Sequence, residues 1–247
     1  MKNTFLCTIF VFLLTVIFPL KSFSQTNKAV VLPKTVVYKR VGLEKNDFKA
    51  TFTIIYPRIK ILGSKTVEQK IIKFLNYEKV FDYSLDDEIK KFSSLENVYY
   101  KLNYNKNGFL DVTLFMETFG AYPWTTKEYF VFNLKTGEQI NVSELFNPGS
   151  TAQLTKKIRT AILHELKQRQ ISPEDALSFQ YPSITIEQIQ LDNMEGFSIN
   201  DKGLTFIFDY NFNFASKADE PAGRYFFGWA ELKPFIKPDG LLGKFIR

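Results

Sequence analysis

The sequence predicts an α+β protein with mainly antiparallel sheets, packed helices and two small, tightly associated subdomains. Segments in which every second residue is apolar recur along the chain, most clearly at 204–214. Asn107 and Gly108 lie between two such segments, and both residue types tolerate the positive φ of a tight hairpin turn. Helical stripes are few and stand apart from the strands, whereas a parallel sheet needs repeated strand–helix–strand units.

The N-terminal half has local signals for each of its elements. The predicted elements are a strand at 49–57, a helix at 66–76, a helix at 84–92 and hairpin strands at 98–104 and 109–119. Pro57 either ends its strand or places it at a sheet edge. Thr66 and Gln69 have the spacing of a capping box, and Ser84 begins the second helix.

The C-terminal half contains the longest predicted helix and the clearest predicted strand. The predicted elements are a strand at 129–134, a helical turn at 143–146, a helix at 150–170, a short helix from 172, and strands at 196–199 and 204–214. Ser150 and Gln153 have capping-box spacing, and Pro173 stands in the first turn of the short helix. The charged loop at 218–224 is expected to connect a hairpin to residues 225–227.

The first 25 residues have the pattern of a secretory signal peptide. Lys2 precedes a short apolar run at 5–20, and small residues precede the expected cleavage between Ser24 and Gln25. An uncleaved N-terminal anchor is the alternative. The predicted organisation is a signal peptide at 1–24, an extension at 25–45, an α+β subdomain at 46–119, a second α+β domain at 120–240 and a tail at 241–247. The protein is thus expected in the periplasm or outside the cell, with no integral membrane span after cleavage.

Charge and composition exclude several functional classes. The formal charge is +6, and loss of Lys2 and Lys21 lowers it to +4, with acids and bases interspersed. Nucleic-acid binding is disfavoured because it needs basic residues clustered on one face. The one cysteine, Cys7, lies in the signal segment, so the mature chain has no disulfide, thiolate nucleophile or cysteine-ligated metal. We expect no metal, no cofactor and no assigned catalytic residue, since His164 is the one histidine and phosphate-loop motifs are absent.

Two aromatic residues and a charged loop are the candidates for ligand binding. Tyr122 and Trp124 stand in a loop constrained by glycine and proline, where they either form a platform for a ligand or cover the end of the sheet. The loop at 218–224 either connects two strands or also forms a binding rim. The candidate ligand-binding residues are Tyr122, Trp124, Asp209, Glu220 and Arg224.

Carboxylates leave a catalytic alternative open. A pair of acidic side chains can cleave a glycosidic bond, and Asp209, Glu220 and Glu117 are the candidates. Asp209 on the polar face of its strand is also consistent with a solvent-facing residue, and Glu117 with a structural pair to a cation. A third interpretation is a structural envelope component that packs against partners through a broad apolar patch.

Several segments carry a resemblance to a known family. They are 120–123 (Gly-Ala-Tyr-Pro), 132–138 (Phe-Asn-Leu-Lys-Thr-Gly-Glu), 142–146 (Val-Ser-Glu-Leu-Phe) and 225–236, which begins Tyr-Phe-Phe-Gly-Trp-Ala-Glu-Leu. With the region around 55–76, they resemble the extracytoplasmic domain of RsiV-type anti-sigma factors, a module that also accompanies some peptidoglycan deacetylases. The chain departs from it at Tyr122, where the family often has histidine, and we expect no sigma-binding segment and no deacetylase domain.

The resemblance implies a binding module outside the cytoplasm. In the anti-sigma members it implies recognition of host lysozyme. For this chain we therefore expect a secreted or periplasmic, non-catalytic module that recognises cell-wall glycan, such as peptidoglycan, or an envelope or host protein such as lysozyme.

Overall fold

The computed structural model describes residues 28–41, 49–90 and 94–247, and its architecture is α+β. The strands are β1 (Val30–Lys39), β2 (Thr51–Lys60), β3 (Leu95–Lys106), β4 (Phe109–Phe119), β5 (Pro123–Asn133), β6 (Gly196–Asn200), β7 (Gly203–Ile207) and β8 (Arg224–Gly228). They form a five-stranded sheet in the order β1-β2-β3-β4-β5 and a three-stranded sheet in the order β6-β7-β8. Every neighbouring pair except β2–β3 is antiparallel, which confirms the predicted fold class.

The predicted signal peptide at 1–24 lies outside the described residues, so the structure does not test it. Within the ranges that the structure describes, no helix has the length and apolar character needed to cross a bilayer.

Within the described residues, six α-helices accompany the sheets. They are α1 (Lys65–Phe74), α2 (Tyr77–Val80), α3 (Leu85–Lys90), α4 (Thr151–Arg169), α5 (Pro173–Leu177) and α6 (Trp229–Leu232). The predicted cap of α1 is wrong: Thr66 lies inside the helix, and the Ser64 side chain instead accepts a bond of 3.4 Å from the Val67 N–H. Ser64 was not identified as the cap from the sequence; its backbone lies outside the helical region, as an N-cap requires.

The predicted N-terminal caps of α4 and α5 have different outcomes in the structure. Ser150 precedes α4 as predicted, but its hydroxyl donates to the Asn147 carbonyl (3.0 Å) and does not cap the helix. Ser172 does cap α5, because its Oγ accepts from the Asp175 N–H at 3.1 Å. Pro173 occupies the first turn of α5, where a missing N–H removes no helical bond.

The first two strands extend beyond the predicted boundaries. β1 falls within the predicted extension at 25–45, for which no strand was expected. β2 continues through Pro57, so the prediction that this proline could end the strand is wrong. Pro57 stands opposite Pro33 of β1, and β3 pairs with β2 at Thr53 and Ile54. Because neither proline has a backbone N–H to donate to the other strand, the pair leaves no donor without a partner in the sheet.

The hairpin prediction is confirmed, and the strand prediction at 204–214 is wrong in its length. Asn107 and Gly108 join β3 to β4 with φ of +56° and +77°. β7 ends at residue 207, and the chain turns at Asn211, whose φ is +50°. The side chains that keep the alternating burial beyond the strand are Phe208, Tyr210 and Phe212. Beyond residue 207, the alternating apolar pattern therefore reflects burial of the side chains and not hydrogen bonding to a neighbouring strand.

The two faces of the five-stranded sheet belong to different hydrophobic cores. One core packs Leu110, Val112 and Leu114 of β4 with α1 and α2. The other packs Phe109 of the same strand with α4 and the three-stranded sheet. The turn at 120–122 joins β4 to β5 within one sheet, and the predicted domain boundary between 119 and 120 stays a prediction.

A buried carboxylate links the two sheets. Asp111 on β4 is 2% exposed and accepts hydrogen bonds from the Ile199 N–H (3.0 Å) and the Ser198 hydroxyl, both on β6. The Asn103 amide donates a third bond at 2.9 Å. Burial raises the pKa of Asp111, although these donors favour the ionised form. The contact fixes β6 beside the outer half of the large sheet, where the candidate site lies.

Candidate functional site

A cleft of about 270 Å³ lies between β5 and the segment at 207–224. Four of the five predicted ligand-binding residues line it: Trp124, Asp209, Glu220 and Arg224. The sequence separates Trp124 from the other three by more than 80 residues, and the packing of β6–β8 against β5 brings them together.

The free edge of β5 forms one wall of the cleft. Six consecutive residues, 124–129, line it, so side chains from both faces of the strand contribute. β5 pairs with β4 on its other side, and within the described residues no backbone hydrogen bond reaches the outer edge of this part of β5. Trp124 belongs to this strand, which corrects the expectation that it stands in a loop. The wall therefore offers backbone donors and acceptors as well as side chains.

Trp124 is held beside a charged pair. The Lys217 ammonium lies 4.9 Å from the centroid of the indole ring, within the range of a cation–π contact. The same ammonium pairs with the Glu220 carboxylate at 2.7 Å. Glu220 also accepts a bond of 2.8 Å from the Phe212 N–H, which fixes this carboxylate to the backbone.

Arg224 closes the opposite wall of the cleft. Its guanidinium donates to the Tyr129 hydroxyl at 2.8 Å and lies 5.3 Å from the centre of that ring. Burial raises the pKa of the Tyr129 phenol, and the neighbouring Arg224 charge opposes that rise. Arg224 is the first residue of β8, so the contact ties the three-stranded sheet to β5.

Asp209 stands where the chain leaves the sheet. Its Oδ1 accepts from the Asn211 N–H at 2.9 Å, which stabilises the turn in which Asn211 has positive φ. The other oxygen makes no hydrogen bond within the described ranges, and Asp209 lines the cleft. The expectation of a polar strand face therefore gives way to a turn residue that faces a concave site.

Two acidic residues of the cleft were not identified from the sequence. Glu128 and Glu195 both line it, and neither makes an ion pair within the described part of the chain. Burial, and then the charge of Glu195, raise the pKa of Glu128 to about 7. Burial, and then the charge of Asp209, raise the pKa of Glu195. Glu128 was missed because the predicted strand began one residue later, at 129.

Tyr122 is not among the residues that line the cleft. It is 57% exposed, and its ring stacks on Phe214 with centroids 3.9 Å apart. Phe214 begins the short 3₁₀ helix Phe214–Asp219, which carries Lys217. The Tyr122–Phe214 stack thus forms an exposed aromatic surface beside the cleft, and it does not cover the sheet end as the alternative interpretation expected.

A carboxylate behind the cleft holds the loop that bears Glu220 and Arg224. Glu165 on α4 accepts bonds from the Ala222 N–H (2.6 Å), the Gly223 N–H (3.3 Å) and the Tyr225 hydroxyl (2.8 Å). The Tyr225 hydroxyl also lies 2.6 Å from that of Tyr210. Gly223 has φ of +62°, and a Cβ there would stand 1.9 Å from a backbone oxygen. The bonds to Glu165 and the positive φ of Gly223 therefore fix the loop in one conformation.

The other residues considered for chemistry lie elsewhere. Glu117 is outside the cleft lining and accepts bonds from the Asn97 amide (2.8 Å) and the Tyr99 hydroxyl (2.9 Å), so its partners are neutral and not the expected cation. His164 is exposed on α4. Within residues 28–41, 49–90 and 94–247, no three or more His, Cys, Asp or Glu side chains come together in a group that could hold a metal ion.

Comparison with known proteins identifies the fold but not a close relative. No protein-family model and no curated protein matches the sequence. Among solved structures, the chain is similar to a DUF3298 family member from Bacteroides fragilis, with 11% identity, a TM-score of 0.57, and coverage of 90% of this chain and 98% of that one. It is also similar to a DUF3298 family protein from Pseudomonas aeruginosa, with 12% identity, a TM-score of 0.50, and coverage of 85% and 94%. The chain thus shares its fold with DUF3298 proteins, while the relation to RsiV-type proteins stays a prediction.

Proposed function

We propose that this protein is a non-catalytic binding module, exported from the cytoplasm, that binds cell-wall glycan in the cleft beside β5. One observation carries the proposal: an aromatic wall, Trp124, faces the same concave space as several hydrogen-bonding groups that include Asp209 and Arg224. Small-molecule sites in proteins combine a concave surface with a few placed polar groups in this way.

The chemistry of the cleft suits a sugar. The apolar face of a pyranose ring can pack on the Trp124 indole, which buries area at low entropic cost. Asp209 and Glu195 offer acceptors for sugar hydroxyls, and the free edge of β5 supplies backbone groups. The clamped loop at 220–224 keeps these groups in place before a ligand arrives, which lowers the entropic cost of binding.

The test is binding of the full-length mature protein to purified, insoluble peptidoglycan, followed by calorimetry with soluble fragments. Trp124→Ala should weaken binding at least about tenfold, a loss of about 1.4 kcal/mol. Phe226→Ala is the matched control, because Phe226 is an aromatic residue that is 49% exposed and lies outside the cleft. Equal binding by wild type and Trp124→Ala would refute the assigned site.

The same assay separates the partners considered for this cleft. A parallel arm with immobilised lysozyme tests a protein partner. Tyr122→Ala belongs in both arms because Tyr122 and Phe214 form the exposed aromatic surface beside the cleft. Capture by lysozyme with no retention on peptidoglycan would replace the glycan proposal with a protein partner.

A carboxylate-dependent glycan hydrolase is the second candidate, and one observation favours it. Glu128 lines the cleft with its pKa raised to about 7, so a large fraction of the molecules have this carboxyl protonated near neutral pH, as a general acid requires. Glu195 and Asp209 supply further carboxylates in the same space. Release of reducing ends from peptidoglycan, abolished by Glu128→Gln, would establish hydrolysis and overturn the non-catalytic proposal.

A further inference from the structure

A second cleft adjoins the cleft beside β5. A neighbouring space of about 350 Å³ lies between β5, the segment at 139–143 and the start of β6. Tyr129 and Glu195 line both spaces. Gly196 packs directly on Tyr129, since a Cβ at Gly196 would stand 2.7 Å from the Cβ of that tyrosine. The two spaces therefore lie side by side, divided by the Tyr129–Gly196 contact, and together they are called the groove.

The groove is longer than a single sugar ring. Its lining on β5 runs from Trp124 to Val131, except for Phe130, which packs in the core on the other face of the sheet. At roughly 3.3 Å per residue of strand, the seven steps between them span about 23 Å. A groove of this length along one strand suits a linear chain of several units, whereas a monosaccharide would leave most of its walls without a contact.

The second cleft differs in chemistry from the first. Gln139 and Ser143 are half-buried, and their side chains make no hydrogen bond within the described residues. Met194 and Leu191 supply an apolar wall beside them. An acetamido group has an N–H, a carbonyl oxygen and a methyl group, and this cleft offers an amide or hydroxyl to the first two and an apolar surface to the third.

From this adjacency and chemistry we infer that the groove binds a linear glycan that carries acetamido groups, with sugar units on both sides of Tyr129. The inference rests on the proposed glycan-binding function and adds the ligand's length and substituent. Units near Trp124 contact the aromatic and charged wall. Units near Gln139 contact amide and hydroxyl side chains that have no other partner in the described structure.

The test is calorimetry with the mono-, tri- and hexasaccharide of β-1,4-linked N-acetylglucosamine. We expect the hexasaccharide to bind at least about tenfold more tightly than the monosaccharide, a difference of about 1.4 kcal/mol. The double variant Gln139→Ala/Ser143→Ala should lose most of that gain and keep the wild-type affinity for the monosaccharide. Gln168→Ala, an exposed glutamine on α4 outside the groove, is the matched control.

The outcomes separate the two proposals. Equal affinity for all three oligomers, or an unchanged hexasaccharide affinity in the double variant, would overturn the extended groove and leave the cleft at Trp124 as a glycan site. If none of the oligomers and no peptidoglycan binds to the wild type, the proposed function itself fails. Thermal unfolding of the double variant at the wild-type temperature shows that a loss of affinity is not a loss of fold.

Discussion

Replacement of Glu165 by alanine tests whether a carboxylate on α4 holds the loop of the cleft. The variant removes an acceptor that receives three hydrogen bonds, from two backbone N–H groups and the Tyr225 hydroxyl. A hydrogen bond contributes roughly 1 kcal/mol net, and more when one partner is charged. The Glu165 side chain is 18% exposed, so water replaces part of what is lost. We expect a decrease of about 2–3 kcal/mol in the free energy of unfolding.

The same substitution should also weaken glycan binding. The bonds to the Ala222 and Gly223 N–H groups hold the loop between Glu220 and Arg224, which both line the cleft. Release of that loop adds an ordering cost to each binding event, so affinity should fall by several-fold even where the protein is fully folded. The ion pair of Glu165 with Arg169, at 3.7 Å and partly exposed, contributes little to either effect.

Urea denaturation followed by tryptophan fluorescence measures the first effect, and calorimetry measures the second. Gln168→Ala on the same helix is the control, and its stability should stay within about 0.5 kcal/mol of wild type. Tyr225→Phe removes one of the three donors, so its effect and that of Glu165→Ala should be non-additive in the double variant. Additive effects, or a Glu165→Ala protein as stable as the control, would refute the clamp.

Three further predictions follow from the local geometry. Gly223→Ala should destabilise the protein by about 3 kcal/mol or more, because φ is +62° and the added Cβ would meet the Phe208 carbonyl oxygen. Gly149→Ala is the control, because a Cβ there meets nothing within 4 Å, and urea midpoints measure the stability of both variants. Asp111→Ala should cost about 2–4 kcal/mol, since it leaves donors of both sheets unpaired, with the melting temperature as the measure. The pKa of Glu128 is raised from an ordinary 4.5 to about 7 in the folded protein, so the free energy of unfolding should fall as the pH rises between these two values. Glu128→Gln should therefore melt at a higher temperature than wild type above pH 7. Below pH 4.5 the two proteins should melt at the same temperature.

Local chemistry explains which parts of the fold the sequence predicts. Asn107 and Gly108 determine their hairpin because the turn requires positive φ at adjacent positions, and no distant contact is needed. Ser172 and Pro173 predict the start of α5 for the same kind of reason. The alternation at 204–214 predicts burial correctly, but a strand also needs a paired neighbour, and Asn211 turns the chain away from one.

The candidate site is harder to predict because it depends on packing. Trp124, Glu220 and Arg224 were chosen as aromatic or charged groups near glycine and proline, and Asp209 as a carboxylate on the polar face of a predicted strand. These signals can be read without a structure. Glu128 and Glu195 have no such signal: they line the same cleft only because β6 packs beside β5. The raised pKa of both residues is a property of that arrangement, which no local pattern encodes.

The charges of the cleft favour a ligand that donates hydrogen bonds. Lys217 already pairs with Glu220, and Arg224 already contacts the Tyr129 hydroxyl and ring, so two of the basic groups are engaged by the protein itself. Three acids, Glu128, Glu195 and Asp209, line the same space without an ion pair within the described residues. An anionic polymer would have to approach these carboxylates, whereas a neutral sugar brings hydroxyl and amide donors to them. Lys127 is a further base in the lining, but the unpaired acids outnumber it, so we expect hydroxyl and amide donors of a glycan to fit this cleft better than a polyanion.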